Sequence, residues 1–275
     1  MTGPIVVATD FSARADRAID RALQLGAEWG TRIVLLHAVD RKAEGADQAA
    51  LDRAMEGGLP QGVPGTEAVE FAYVEGEPPE AIAQAADQLD ARLIVMGPAR
   101  YNSLGDYFLG TAIDHVLRHC AQPILIVKQR PHGPYGTIVA PSDLSRPSAE
   151  AVRLTLDWFG EAQLHVAHAC HIPFDAWQQD EHVKSDVLAA DTLRTNEFLA
   201  RLDLSESDRR RVATQVVAGS VHDAVNGTAR AVGADLVVIG SHGESGFRHA
   251  TIGSKANALL ETTRIDTLMV KTMRD

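Results

Sequence analysis

The strongest constraint on the fold is that the chain repeats itself. The segment "PIVVATDFSARADRAIDRAL" near the start matches "TIVAPSDLSRPSAEAVRLTL" after residue 136, which aligns Asp10 with Asp143 at an offset of 133 residues. Farther along, "YVEGEPPEAIAQAADQLDARLIVMG" matches "VVAGSVHDAVNGTARAVGADLVVIG" at an offset of 143 residues. The two offsets differ by ten, so the second copy carries about ten extra residues after its second strand. A repeat of this length predicts two copies of one structural unit.

The repeat also predicts the domain boundaries. We expect one domain over residues 1–130 and a second over residues 137–275. Between them lies "QRPHGPYG", whose Pro and Gly content is typical of a linker. A chain of 275 residues, of which 45% are apolar, is long enough to form two separate cores.

Charge and cysteine content exclude several classes of protein. Lys and Arg total 26 against 37 Asp and Glu, a net charge of -11, so the overall field repels nucleic acid and anionic membranes. Cys120 and Cys170 are the two cysteines, and they form neither a disulfide framework nor the spacing of a zinc site. The N-terminus lacks a signal-peptide pattern and no long apolar run is present, so we expect a cytoplasmic protein without a nucleic-acid or membrane partner.

Short apolar runs alternate with longer segments of helical period in both copies. In the second copy the predicted strands are "TIVAPS", "QLHVAHA", "VATQVVA", "DLVVIG" and "DTLMVK". The segment after the first of them places Val152, Leu156 and Phe159 at helical spacing. This alternation predicts an α/β fold with a doubly wound parallel sheet in each domain. Ligands of such sheets bind beyond the carboxyl ends of the strands, where the strand order reverses.

Three glycines mark the loop after the fourth strand of the second copy. In "GSHGESGFRHATIGSK", Gly240 is followed two residues later by Gly243, and nine further residues separate Gly243 from Gly253 and Ser254. Glycine lets a phosphate oxygen approach the main chain, and the start of the following helix favours an anion. Because the pattern follows a strand and precedes a helix, it favours phosphate binding over a purely structural turn.

The glycine pattern and the repeat together resemble a tandem universal stress protein, with two UspA-type domains in one chain. The family pattern is Gly, two residues, Gly, nine residues, Gly, then Ser or Thr, and the two copies cover nearly the whole chain. The resemblance implies two Rossmann-like, doubly wound domains packed as an intrachain pseudo-dimer. It also implies an adenine-nucleotide-binding stress protein that acts as a sensor or scaffold.

The resemblance also implies which residues contact the nucleotide. Asp143 matches the position that contacts the ribose and adenine end, while Ala140, Pro141 and Ala169 match the base pocket. The matched phosphate contacts are Gly240, Gly243, Gly253, Ser254 and the amide of Lys255. Apart from the resemblance, the loop sequence places His242 and Arg248 nearby as further sources of positive charge. The ligand would be ATP, ADP or AMP, with Mg²⁺ or Mn²⁺ on its phosphates. No residue stands out as a base for an attacking water, so efficient catalysis is not expected.

The first copy departs from this pattern. Its loop "GPARYNSLGDYFLGT" keeps Gly97, Gly110 and Thr111, but Arg100 replaces the middle glycine and Pro98 removes an amide hydrogen. We expect nucleotide in the second domain and weak or no binding in the first. The alternative is that Arg100 supplies a cation for a different anionic ligand.

Two further segments invite functional interpretations. "HVAHACHIPF" contains His165, His168, Cys170 and His171, but strand alternation divides them between two faces, so a structural role with the His168 ring bonded to backbone is favoured over a metal site. The charged stretch Glu206–Arg211 is expected to be a solvated turn.

The terminal runs "PILIVK" and "DTLMVK" would each leave an unpaired sheet edge. We therefore predict that these two strands pair and hold the pseudo-dimer together. Further association between chains is left open. A second hypothesis for function is a nucleotide-independent interaction scaffold in which both clefts are vestigial.

Overall fold

The computed structural model describes residues 3–39, 48–60, 66, 69–98, 100–101, 107–108, 110–172, 181–240 and 253–271. Contacts divide the chain into two units, Met1–Pro134 with Leu260–Met269, and Tyr135–Leu259 with Val270–Asp275. None of the described helices is both long and apolar enough to cross a membrane.

The first unit alternates strands and helices. Its elements are β1 (Ile5–Ala8), α1 (Ala13–Trp29), β2 (Ile33–Val39), α2 (Gln48–Gly57), β3 (Val69–Glu75), α3 (Pro78–Gln88), β4 (Leu93–Met96), the two-residue strands β5 (Arg100–Tyr101) and β6 (Tyr107–Phe108), α4 (Gly110–His119) and β7 (Ile124–Ile126). The main strands have the order β3-β2-β1-β4-β7, and each neighbouring pair is parallel.

The second repeat shows the same alternation, and its residues Leu260–Met269 group by contact with the first unit. Its elements are β8 (Thr137–Pro141), α5 (Arg146–Trp158), β9 (Gln163–Cys170), α6 (Glu181–Arg201), α7 (Glu206–Arg211), β10 (Val212–Ala218), α8 (Val221–Val232), β11 (Leu236–Gly240), α9 (Ser254–Thr262) and β12 (Asp266–Val270). β9 and β11 both pair in parallel with β8, one on each side, and β10 pairs with β9. The predicted α/β class with doubly wound parallel sheets is confirmed. A crevice opens where connections leave β8 and β11 toward opposite sides.

The two terminal strands pair as predicted. β12 runs antiparallel to β7, with Leu268 opposite Leu125. Residues Leu260–Met269 accordingly group with the first unit by contact. The pairing satisfies the backbone groups of an edge that would otherwise be exposed.

Helix starts in the second unit follow local capping rules. The Ser145 hydroxyl accepts from the Ser148 amide at the start of α5, and the Ser220 hydroxyl accepts from the Asp223 amide at the start of α8. α8 ends at Gly233, whose φ of 64° is the left-handed conformation that glycine adopts readily. These bonds fix the starts of α5 and α8, two of the helices that border the crevice.

The segment Glu206–Arg211 corrects a prediction, because it forms the short helix α7 and not a solvated turn. The Ser205 hydroxyl caps its first turn, where Glu206 and Asp208 are acidic, while its last turn is basic. Arg211 is half-buried and donates to the carbonyls of Leu156, Phe159 and Ala162. Acidic residues in the first turn, basic residues in the last turn and the hydrogen bonds of Arg211 stabilise α7. The sequence alone shows only that this stretch is hydrophilic.

A buried polar cluster lies in the first unit beside β7. Lys128 is 1% exposed, and its Nζ donates to the carbonyls of Leu260 and Thr263 and to the Thr267 hydroxyl. The Asp266 carboxylate accepts from the Lys128 amide at 2.8 Å and lies 3.5 Å from Arg21 Nε. Burial lowers the pKa of Lys128 to about 7, partly opposed by Asp266.

Candidate functional site

The crevice begins with a tight turn after β8. Asp143 Oδ1 accepts from the Ser145 amide at 3.1 Å, and the Ser142 hydroxyl accepts from the Leu144 amide at 3.1 Å. Leu144 has a φ of 64°, which is uncommon for a residue with a side chain. The Ser142 and Ser148 hydroxyls, 2.9 Å apart, tie the turn to α5. The turn leaves Asp143 exposed beyond the carboxyl end of the strand.

His168 holds β9 to this turn. Its Nδ1 lies 2.8 Å from the Ser142 carbonyl oxygen, and because a carbonyl only accepts, Nδ1 carries the proton. The predicted bond between this ring and the backbone is therefore present. The other ring nitrogen, Nε2, lies 3.7 Å from Asp191 Oδ2 on α6. The ring is thus fixed from both sides at the crevice.

Asp191 joins His168 to a second buried group. The bond from the Cys170 thiol holds the pKa of the Asp191 carboxyl below its ordinary value, against burial, and His168 and Arg194 lower it further. Burial raises the pKa of Cys170 to about 11, and its bond to Asp191 adds to the effect. Cys170 is therefore a neutral thiol at neutral pH, which suits a structural role and not a nucleophilic one. His168 and Cys170 are packing partners of α6.

A cavity of about 550 Å³ occupies the crevice. This volume lies within the roughly 300–1,000 Å³ of typical small-ligand sites. The predicted site residues that line it are Pro141, Asp143, Ala169, Gly240, Gly253, Ser254 and Lys255. They come from four separated parts of the sequence, namely the ends of β8, β9 and β11 and the start of α9. The fold therefore brings together the predicted base, sugar and phosphate positions.

The remaining predicted residues are placed differently. Ala140 is 0% exposed inside β8 and does not line the cavity, because its neighbour Pro141 ends the strand and is the first residue to reach the opening. His242, Gly243 and Arg248 lie outside the described residues. Their proposed contacts with phosphate remain predictions from the sequence.

Gly240 has a packing role that the sequence did not indicate. A Cβ at this position would lie 3.0 Å from the carbonyl oxygen of Pro147, in the first turn of α5. Its φ is not positive, so conformational freedom does not explain the glycine. Close approach between β11 and α5 does, and it holds one wall of the cavity in place.

Charge in the cavity suits an anion at one end. α9 begins at Ser254, and first-turn amides of a helix lack intrahelical acceptors. Lys255 lies in the same turn, where the helix dipole also favours negative charge. Asp143, after β8, is the one carboxylate among the described residues that line the cavity. The lining thus carries both a cationic and an anionic side chain.

Sequence reasoning missed the apolar wall of the cavity. Val221, Ala224 and Val225 of α8, Ile239 of β11 and Leu259 of α9 all line it. Val221 and Val225 stand at helical spacing in the sequence, a pattern that is typical of a core face. Position along the helix could have distinguished a cavity wall from a core face. The N-terminal turn of α8 lies at the carboxyl edge of the sheet, where a core face meets the crevice.

The first unit has a matching turn with different surroundings. His37 Nδ1 lies 2.9 Å from the Thr9 carbonyl oxygen, as His168 does from Ser142. The Phe11 ring, however, lies over His37 with 4.2 Å between ring centroids. Arg100 lies in β5, and its side chain is outside the described residues.

Comparisons with known proteins agree with this architecture. The family model described as "Universal stress protein family" matches residues 1–128 and 134–271. A Thermus aquaticus protein, "Universal stress protein in QAH/OAS sulfhydrylase 3'region", is 29% identical over 136 residues, which cover 45% of this chain and 97% of that protein.

Solved structures show the same fold over almost the whole chain. A universal stress protein from Archaeoglobus fulgidus has a TM-score of 0.67 at 17% identity, covering 98% of this chain and 99% of its own. A putative universal stress protein from Pseudomonas aeruginosa has a TM-score of 0.66 at 20% identity, covering 98% and 93%. With the family model matched twice, the chain belongs to the universal stress protein family.

Proposed function

We propose that the second unit binds an adenine nucleotide, ATP, ADP or AMP, in the crevice between β8 and β11. The observation that carries the proposal is the convergence of Asp143, Ala169, Gly253 and Ser254 on one cavity, although they are far apart in the sequence. Each matches a nucleotide-contact position of the family pattern.

The cavity suits the three parts of a nucleotide in order. The cavity has an apolar lining that a planar base fits against, formed by Pro141, Ala169, Val221, Val225 and Leu259. Asp143, at the exposed turn, is placed to accept hydrogen bonds from ribose hydroxyls. The phosphates then meet Gly253, the first turn of α9 and Lys255.

Divalent cations would accompany the phosphates. A hard cation such as Mg²⁺ or Mn²⁺ prefers oxygen ligands, and Asp143 supplies the one carboxylate of the described lining. Because Asp143 belongs to the sugar end, the phosphate oxygens and water would provide the cation's ligands. The cation would neutralise phosphate charge.

We propose binding without efficient turnover. Hydrolysis needs a group that orients or deprotonates the attacking water. His168 directs Nδ1 to the Ser142 carbonyl and Nε2 to Asp191, so both ring nitrogens face protein groups. The role that fits is a nucleotide-dependent sensor or scaffold in the stress response.

Isothermal titration with ATP, ADP and AMP in Mg²⁺ buffer tests the proposal. We expect one nucleotide per chain. Gly243→Arg, which copies Arg100 of the first repeat into the second, should abolish binding, while Arg100→Lys should not change it. Absence of binding heat for all three nucleotides would instead support the nucleotide-independent scaffold.

A further inference from the structure

A second cavity of about 420 Å³ lies beside the first in the same unit. Four residues line both cavities, Ala169, Val221, Lys255 and Leu259. The two spaces therefore adjoin along these four residues. In the proposed binding mode Ala169, Val221 and Leu259 belong to the base end of the nucleotide and Lys255 to its phosphate end, so the second cavity borders both ends.

The residues particular to the second cavity suit a flat heteroaromatic ring. His171 follows β9, and His222 lies in the first turn of α8, so two imidazoles border the space. Ala258 adds to the apolar wall, and Gly219, with a φ of 134°, presents no side chain. No carboxylate is among the described residues that line this cavity. Imidazole and apolar surfaces stack readily on a nucleobase.

The volumes of the two cavities indicate that a mononucleotide bound in the first leaves the second unoccupied. The first cavity alone is within the size range of a complete small-ligand site, and so is the second. Lys255 is common to both, and it is the cation placed to contact phosphates that connect two nucleosides.

We propose that the preferred ligand is a dinucleotide, in which a second nucleoside is joined through phosphates to the adenosine of the first cavity. The second base occupies the cavity bordered by His171 and His222. The inference rests on the proposed function, because it assumes that the first nucleotide lies with its phosphates at Ser254 and Lys255.

Two matched ligands isolate the second base. Diadenosine diphosphate differs from ADP-ribose in carrying a second adenine on its terminal ribose. Isothermal titration should show diadenosine diphosphate binding about tenfold more tightly than ADP-ribose, the gain expected of one stacked base. Diadenosine tetraphosphate, compared with ATP, repeats the measurement with a longer phosphate chain.

A matched pair of variants locates the effect. Ala258 is exposed on α9 and lines the second cavity alone, so Ala258→Trp fills that space with little effect on the helix. The variant should bind ATP as the wild type does but lose the tenfold preference for diadenosine diphosphate. Ala190→Trp, at an exposed position of α6 outside both cavities, should keep the preference.

The outcomes separate the two proposals. Normal ATP binding with equal affinities for diadenosine diphosphate and ADP-ribose overturns the dinucleotide inference and leaves the proposed function intact. So does an Ala258→Trp variant that keeps the preference. Failure of every adenine ligand to bind overturns both.

Discussion

The turns after the first strand have the same skeleton in the two units. The carboxylates of Asp10 and Asp143 each accept from the amide two residues later, at 3.0 and 3.1 Å. The intervening residues, Phe11 and Leu144, have φ values of 58° and 64°. Since the first repeat keeps this geometry despite its altered loop, the turn is a requirement of the fold.

The groups around the two turns differ. His37 lies under the Phe11 ring, whereas His168 lines a cavity and faces Asp191 of the 21-residue helix α6. In the first unit the corresponding helix α2 has ten residues, and its Asp52 accepts from Tyr73 at 2.7 Å. The hydrogen bonds that build the turn are thus common to both units, while the residues around the turn have diverged.

The largest expected effect comes from blocking the two equivalent strand ends. Ala169→Phe places a ring in the cavity of the second unit and should weaken ATP binding by at least about a hundredfold, because the base loses its space. Ala38→Phe, at the matching position of the first repeat, should leave ATP affinity unchanged. Isothermal titration measures both, with thermal unfolding as a check on folding.

An equal loss of affinity in both variants would contradict the proposed asymmetry between the units. A loss confined to Ala38→Phe would place the nucleotide in the first unit.

The next largest effect is the pH dependence of stability, which should differ between the lysines that follow the two terminal strands. Burial lowers the pKa of Lys128 in the folded protein to about 7. At pH values between about 7 and the higher pKa of the unfolded chain, Lys128 is therefore protonated more in the unfolded state than in the folded state. The free energy of unfolding should therefore rise with pH, by up to about 1.4 kcal/mol per unit above pH 7. Denaturant unfolding from pH 6 to 9.5 measures the slope.

Lys128→Met should remove this slope, whereas Lys271→Met, at the half-buried matching position, should keep it. The slope is the informative quantity, since the Lys128→Met substitution also leaves the carbonyls of Leu260 and Thr263 without this donor. A wild-type protein with no rise in stability above pH 7 would show that Lys128 stays charged.

These comparisons show which features the sequence could predict. The five strands of the second repeat were predictable because each is a short apolar run, and because the same pattern of runs occurs in the first repeat. Convergence of Asp143, Ala169 and Ser254 was predictable because parallel strands bring their carboxyl ends to one edge.

Features that depend on distant partners were not predictable in this way. Lys128 looks like an ordinary charged strand end, and its acceptors lie more than 130 residues away. Gly240 matches a phosphate pattern, yet its neighbour is the Pro147 carbonyl. Local pattern cannot distinguish a glycine kept for a ligand from one kept for packing.

Glycine substitutions test that distinction. Gly240→Ala should lower the free energy of unfolding by about 1–3 kcal/mol, because the new Cβ meets backbone at 3.0 Å. Gly227→Ala, inside α8 with open space around it, should raise it by about 0.5–1 kcal/mol. Both are measured by denaturant unfolding without nucleotide. An unchanged free energy of unfolding for Gly240→Ala would contradict the packing role and favour a ligand role for this glycine. The glycine at the matching position of the first repeat, Gly97, would then have no explanation.

The smallest expected effect separates the two roles of the turn aspartates. Asp143→Asn and Asp10→Asn both retain an oxygen that accepts from the amide two residues later, so each should change stability by less than about 0.5 kcal/mol. Asp143→Asn also removes a charged acceptor for ribose hydroxyls, so ATP affinity should fall about tenfold. Asp10→Asn should leave the affinity unchanged. If the two variants weakened ATP binding alike, the shared skeleton would itself be a binding site, and the difference between the units would lie in the glycine loops alone.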